Sequence, residues 1–174
     1  MNFLKTFLIT LFTYLGLNTV FTLIFVFTTT GFPTNDILYI TALIFAPITV
    51  FPTEAWASGI ASLILPTDIV TVILTFLGAI VPPIVALILA AKLGDERDTG
   101  FNAWLFTALV SAAVYAFLLG LGQLSSAYLY LEWFDLTTLY GGLYAGAIIA
   151  IFIGGLGNGF FYGCLALLVA RKFL

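Results

Sequence analysis

Glu54 follows Pro52-Thr53 and stands between two apolar runs, residues 37–51 and 55–65. A carboxylate in that setting has two readings. If the runs meet inside a bilayer, low dielectric raises its pKa and keeps it protonated, ready to relay a proton or hold a cation. If they meet at a turn in water, it stays ionised and favours the start of the next helix through its charge. The second reading is the expectation here, because a watery turn costs an ionised carboxylate little. Four further polar residues interrupt or flank apolar sequence: Asn18, Asp68, Gln123 and Asn158. Together with Glu54 they form the candidate set for a solute pathway or binding site, since polar groups within spans mark such sites. Asp68 has a second use, as does Asp36: each follows a Pro/Thr turn and can cap the helix after it.

Other chemistry lacks its residues. The chain has no histidine and one cysteine, Cys164, so zinc, haem and iron–sulfur centres have almost no ligands to draw on. A hydrolase would want a nucleophile with its base, or paired acids, and neither pattern is present. The expectation is a chain that is not an enzyme and carries no cofactor and no metal. Five Lys and Arg in 174 residues make no basic patch, which argues against nucleic acid as a partner.

A second pattern concerns packing. Gly155, Gly159 and Gly163 recur every four residues, and so do Gly142, Gly146, Ala150 and Gly154. Small residues at that spacing let another helix approach backbone to backbone. The stripe packs within the chain, or it offers the last helix to other membrane subunits or to a second copy.

The elements that position these residues are membrane helices. The chain is 63% hydrophobic and 7% charged, against roughly a quarter charged in a soluble domain, so its outer surface faces lipid. Residues 1–174 form one all-α bundle with the lipid bilayer as its first partner. Phe3–Thr28 is too long for a signal-peptide core and has no small-x-small site after it, so it reads as a retained helix. Ile69–Leu93 follows, with Pro82-Pro83 expected to kink or interrupt it. Asn102 can cap a helix over residues 103–124. Residues 125–138 mix Tyr and Trp with Glu132 and Asp135, which suits the headgroup layer. Residues 139–170 would reach roughly 48 Å as one helix, against a hydrocarbon core of about 30 Å. Gly154–Gly159 is the expected place for that helix to break.

All five basic residues fall at three places: Lys5, Lys92 with Arg97, and Arg171 with Lys172. Placing them in the cytoplasm puts both termini there. Residues 37–65 must then begin and end outside. Two crossings by this stretch give six transmembrane helices; a dip gives four and a re-entrant hairpin. As helices the two runs reach only roughly 22 and 16 Å. The six-helix layout is favoured because it leaves Glu54 in water.

In size, helix number and orientation, this layout resembles the substrate-binding S components of energy-coupling-factor transporters. The resemblance implies six helices, a prokaryotic plasma membrane, and solute binding near the outer side, around Asn35, Asp36, Asp68 and residues 128–133. That family commonly presents alanines from its first helix to a coupling subunit; residues 8–26 here contain none. The expected function is a small-solute transport component, either substrate-binding or permease-like. The alternative is a non-catalytic accessory subunit of a larger membrane complex. The first expects a cavity lined by Asn18, Glu54, Gln123 and Asn158; the second expects a filled interior.

Overall fold

The computed structural model describes residues 2–29, 31–64 and 69–170. Among them are seven α-helices: α1 (Phe3–Thr28), α2 (Ile37–Phe45), α3 (Pro52–Ile64), α4 (Ile69–Leu93), α5 (Arg97–Gly122), α6 (Ala127–Leu139) and α7 (Tyr144–Ala170). A 3₁₀ turn, Ala46–Thr49, joins α2 towards α3.

Four helices are long and apolar enough to cross a membrane: α1, α4 over Phe76–Leu93, α5 over Asp98–Gly122, and α7. The segments Ile37–Thr49 and Pro52–Ile64 pass that test only as a pair, and they are bent by 106°. The chain therefore has four to five candidate spans and not the six favoured from sequence. Nine residues of α2 and thirteen of α3 reach only about 14 and 20 Å, short of the core.

The bend has a local cause. Pro47 and Pro52 lack the N–H that would continue the helix through this stretch. Val50 between them is extended, with φ −83° and ψ 129°. Asp36 caps α2 by accepting from the Tyr39 N–H at 2.9 Å. Its other oxygen accepts from the Ser126 hydroxyl, and Ser126 in turn caps α6 by accepting from the Leu129 N–H. Two helix starts are thus clasped together.

Two expected interruptions are absent. α4 continues through Pro82-Pro83, both buried, and α7 continues through Gly154–Gly159. Glycine weakens a helix where water competes for its backbone; in lipid no such competitor exists, and the glycines serve close contact instead. A Cβ at Gly155 would lie 2.7 Å from Ala112 Cβ, at Gly159 2.6 Å from Leu105 Cδ1, and at Gly163 2.8 Å from the Phe101 ring. This stripe is spent on α5 within the chain. Gly146 packs on Tyr140, 2.7 Å from its Cβ by the same construction. Gly142 is not part of α7: it lies in the preceding turn, where Gly141 and Gly142 take φ of 67° and 78°. α5 begins at Arg97, so Asn102 lies inside it and does not cap it. The early start is possible because Gly100 sits against α4, where a Cβ would be 3.0 Å from the Ala90 carbonyl oxygen.

The interior carries polar side chains among its apolar ones, Thr107, Ser111 and Asn158 included. α1 buries Thr6, Thr10, Tyr14, Asn18, Thr22 and Val26, one residue per turn, while Phe12, Val20 and Phe27 face outward. Tyr14, Trp104 and Tyr162 form an edge-on aromatic chain at the centre, with centroid separations of 5.3 and 5.7 Å.

Candidate functional site

The bent segment is held at mid-bundle by two asparagines. Asn18, near the middle of α1, donates from Nδ2 to the Ile44 carbonyl at 3.0 Å. Asn158, near the middle of α7, donates to the Ile48 carbonyl at 2.8 Å and to the Val50 carbonyl. These are the carbonyls that the break leaves short of donors. Pro52 stands where a helical N–H would have bonded Ile48. A side-chain amide has two hydrogens to give, and in Asn158 they replace the missing backbone donors. The main-chain carbonyl of Asn158 accepts from Trp104 Nε1 at 3.1 Å. One turn further on, the Tyr162 hydroxyl accepts from Trp56 Nε1 of α3 at 3.0 Å.

Beside this brace lies a cavity of about 420 Å³. α1 contributes Tyr14, Asn18 and Thr22; the bent segment contributes Pro47, Thr49 and Ser58; α4 contributes Gly78, Ala79 and Pro83; α5 and α7 add Tyr115, Asn158 and Tyr162. Most of the remaining wall is aliphatic or phenyl, from residues such as Phe21, Phe25, Leu43 and Leu74. Its size lies within the roughly 300–1,000 Å³ typical of small-molecule sites, and its few polar groups on an apolar wall match them too.

A second cavity, of about 520 Å³, opens towards α6. Glu54, Glu132 and Asp135 line it, together with Tyr140 and Ile151. Thr49 and Tyr115 line both cavities and so form the wall between them. Tyr115 donates its hydroxyl hydrogen to Glu132 Oε2 at 3.0 Å. Burial pushes the Glu132 carboxyl above the ordinary carboxylate range, while hydrogen bonds from Tyr115 and Tyr39 pull it the other way. Among the described residues no group of three His, Cys, Asp or Glu is placed to hold a metal ion.

Of the candidate residues, the fold brings Asn18 and Asn158 to one cavity and puts Glu54 in the other. Glu54 is exposed in the first turn of α3. Its neighbours are the α6 carboxylates, whereas the six-crossing layout places it at the basic end of the bundle. Gln123 closes α5, donating from Nε2 to the Gly120 carbonyl at 2.9 Å, and is not among the described residues lining either cavity. Asp68 lies outside the described residues. Sequence reasoning missed Tyr14, Tyr115 and Tyr162. The signal for Tyr14 was present: Thr6, Thr10, Tyr14, Asn18 and Thr22 recur every four residues, a polar stripe along one face of an apolar helix.

No family model, curated protein or solved structure matches the chain. Its resemblance to the S components therefore reaches only to a small helical membrane protein with several spans. What the residues and the fold define by themselves is an all-α, multi-pass integral membrane protein.

Proposed function

We propose that this protein is a non-catalytic transport component that binds a small solute between its spans and passes it across a prokaryotic plasma membrane. The carrying observation is the cavity at mid-bundle, walled on one side by a broken, doubly braced segment. Discontinuous helices beside a mid-membrane cavity are where secondary transporters place their sites. Backbone without regular hydrogen bonding survives at that depth only against protein or a cavity. In this reading α2 and α3 form a re-entrant hairpin: α2 runs from the Asp36–Ser126 clasp to the middle of α7, and α3 packs against α4, with Gly59 on Phe76. Lys5, Lys92 and both termini face the cytoplasm. The second cavity, with its three carboxylates, is the vestibule on the other side.

The test is flux. Liposomes containing the protein are loaded with a defined mixture of small neutral and charged solutes, and release is followed by mass spectrometry. Ala79→Trp fills the cavity from α4 and serves as the comparison, with thermal unfolding to confirm that it folds. At least one solute should leave wild-type liposomes about tenfold faster than the filled variant. Equal release of every solute overturns the reading.

A further inference from the structure

We propose that the mid-bundle cavity takes an uncharged, ring-sized solute that donates hydrogen bonds, recognised by the main-chain carbonyls of Gly78 and Ala79. This rests on the reading of the cavity as a solute site.

Charge is the first constraint. Among the described residues, no Asp, Glu, Lys or Arg lines this cavity. An ion there would lose its water and meet no opposite charge, which is costly at membrane depth. Three carboxylates, Glu54, Glu132 and Asp135, line the second cavity instead, beyond Thr49 and Tyr115.

The second constraint is the balance of donors and acceptors. In a helix the carbonyls of Gly78 and Ala79 bond the N–H groups four residues on, which here are Pro82 and Pro83, and proline has none. Both residues line the cavity, and Gly78 has only main-chain atoms with which to do so. A carbonyl left without a donor in an apolar interior is costly, so a solute that donates to it gains accordingly. Several donors on the opposite wall are already engaged. Asn18 gives one of its two amide hydrogens to Ile44, and Asn158 gives both of its own to Ile48 and Val50. Tyr115 gives its hydrogen to Glu132. The carbonyls of Gly78 and Ala79 are thus acceptors to which their own helix supplies no donor four residues on. Tyr14, Phe21 and Phe25 line the same space, and aromatic walls suit a flat ring.

The probes are phenol, anisole, benzoate and benzylammonium, measured by equilibrium dialysis against the full chain in nanodiscs, with uptake by empty nanodiscs subtracted. Anisole keeps the ring of phenol and loses its donor. Phenol should bind about tenfold more tightly than anisole, the two ions should bind more weakly than either, and Ala79→Trp should abolish the difference. Pro82→Ala/Pro83→Ala returns two N–H groups to the helix. It should remove most of the advantage of phenol while leaving anisole unchanged. If that double variant does not fold, the phenol-to-anisole ratio of the wild type decides alone. Equal binding of phenol and anisole overturns the proposal, as does an undiminished phenol preference in a folded double variant. Tighter binding of benzoate or benzylammonium, lost in Ala79→Trp, overturns the solute class and leaves the cavity a solute site. If no probe distinguishes wild type from Ala79→Trp, this proposal fails, and the flux experiment decides whether the transport reading fails with it.

Discussion

Tyr115 and Glu132 join the two cavities: the phenol hydroxyl of a residue shared by both walls donates at 3.0 Å to the carboxylate of one of them. The bond crosses from a span, α5, to the short helix α6. It places a titratable group in the second cavity, against the wall shared with the first, and a pH dependence of stability follows from it.

Burial holds the Glu132 carboxyl above its ordinary value, against the opposing hydrogen bonds. The folded state therefore prefers the protonated form more than the unfolded chain does. Stability from this group is fully present below the ordinary glutamate pKa and falls as pH rises from there to the raised folded value. Glu132→Gln still accepts the Tyr115 hydrogen and cannot ionise. Thermal unfolding in detergent, followed upward from a pH below the ordinary glutamate pKa, should show a shallower loss for Glu132→Gln than for wild type. Parallel pH profiles would refute the assignment.

The asparagine brace predicts an order of damage. Asn158→Leu strips donors from the carbonyls of Ile48 and Val50, whereas Asn18→Leu strips one from Ile44 alone. Interhelical hydrogen bonds in membranes are worth about 0.6–2 kcal/mol each. Asn158→Leu should therefore cost about 1–4 kcal/mol and Asn18→Leu about half as much. Unfolding midpoints of the two variants in mild detergent check the order; a larger loss for Asn18→Leu contradicts it.

Glycine contacts give a sharper contrast. Gly159 faces Leu105 of α5, while a Cβ on Gly16 would meet nothing within 4 Å. Overpacking costs about 1–3 kcal/mol. Gly159→Leu should fall in that range, and Gly16→Leu, on the outer face of α1, should leave the melting temperature unchanged or raise it. Equal melting temperatures for the two variants would mean that α5 and α7 are not in close contact.

Orientation is open to chemical labelling. Cys164 is exposed and is first replaced by serine. Cysteines are then placed one at a time by Arg97→Cys, at the start of α5, and Leu131→Cys, on exposed α6. In sealed vesicles a membrane-impermeant maleimide should reach one from outside and the other only after lysis. Labelling of both from one side refutes the layout.

Hydrophobic length made the long helices legible. Phe3–Thr28 and Ile69–Leu93 have the boundaries their composition implies, and Asp36 caps α2 as its place after a Pro/Thr turn suggests. Residues 37–65 were not legible in the same way, because hydropathy measures length and not direction. Two short runs separated by Pro52 are compatible with two crossings, a dip or a bent span. The bend itself is fixed by Asn18 and Asn158, whose bonds to this segment no local pattern encodes. The glycines of α7 misled for a related reason: their breaking tendency belongs to helices in water, and here Gly155 and Gly159 face α5 while Gly154 and Gly157 face Thr49 and Phe51. Asn18 and Asn158 were visible as polar residues within spans, but not that their amides bond to backbone.

The Asn158–Ile48 bond joins residues 110 apart in the chain. Synthesis delivers α2 and α3 to the membrane long before α7 exists. Until the last helix is inserted, the bend has only the Asn18 brace, and the Ile48 and Val50 carbonyls must find other donors. The early-made bend in the bundle is thus among the last parts to be completed, and a nascent chain stalled before Asn158 would carry an unfinished bent segment open to quality-control proteases.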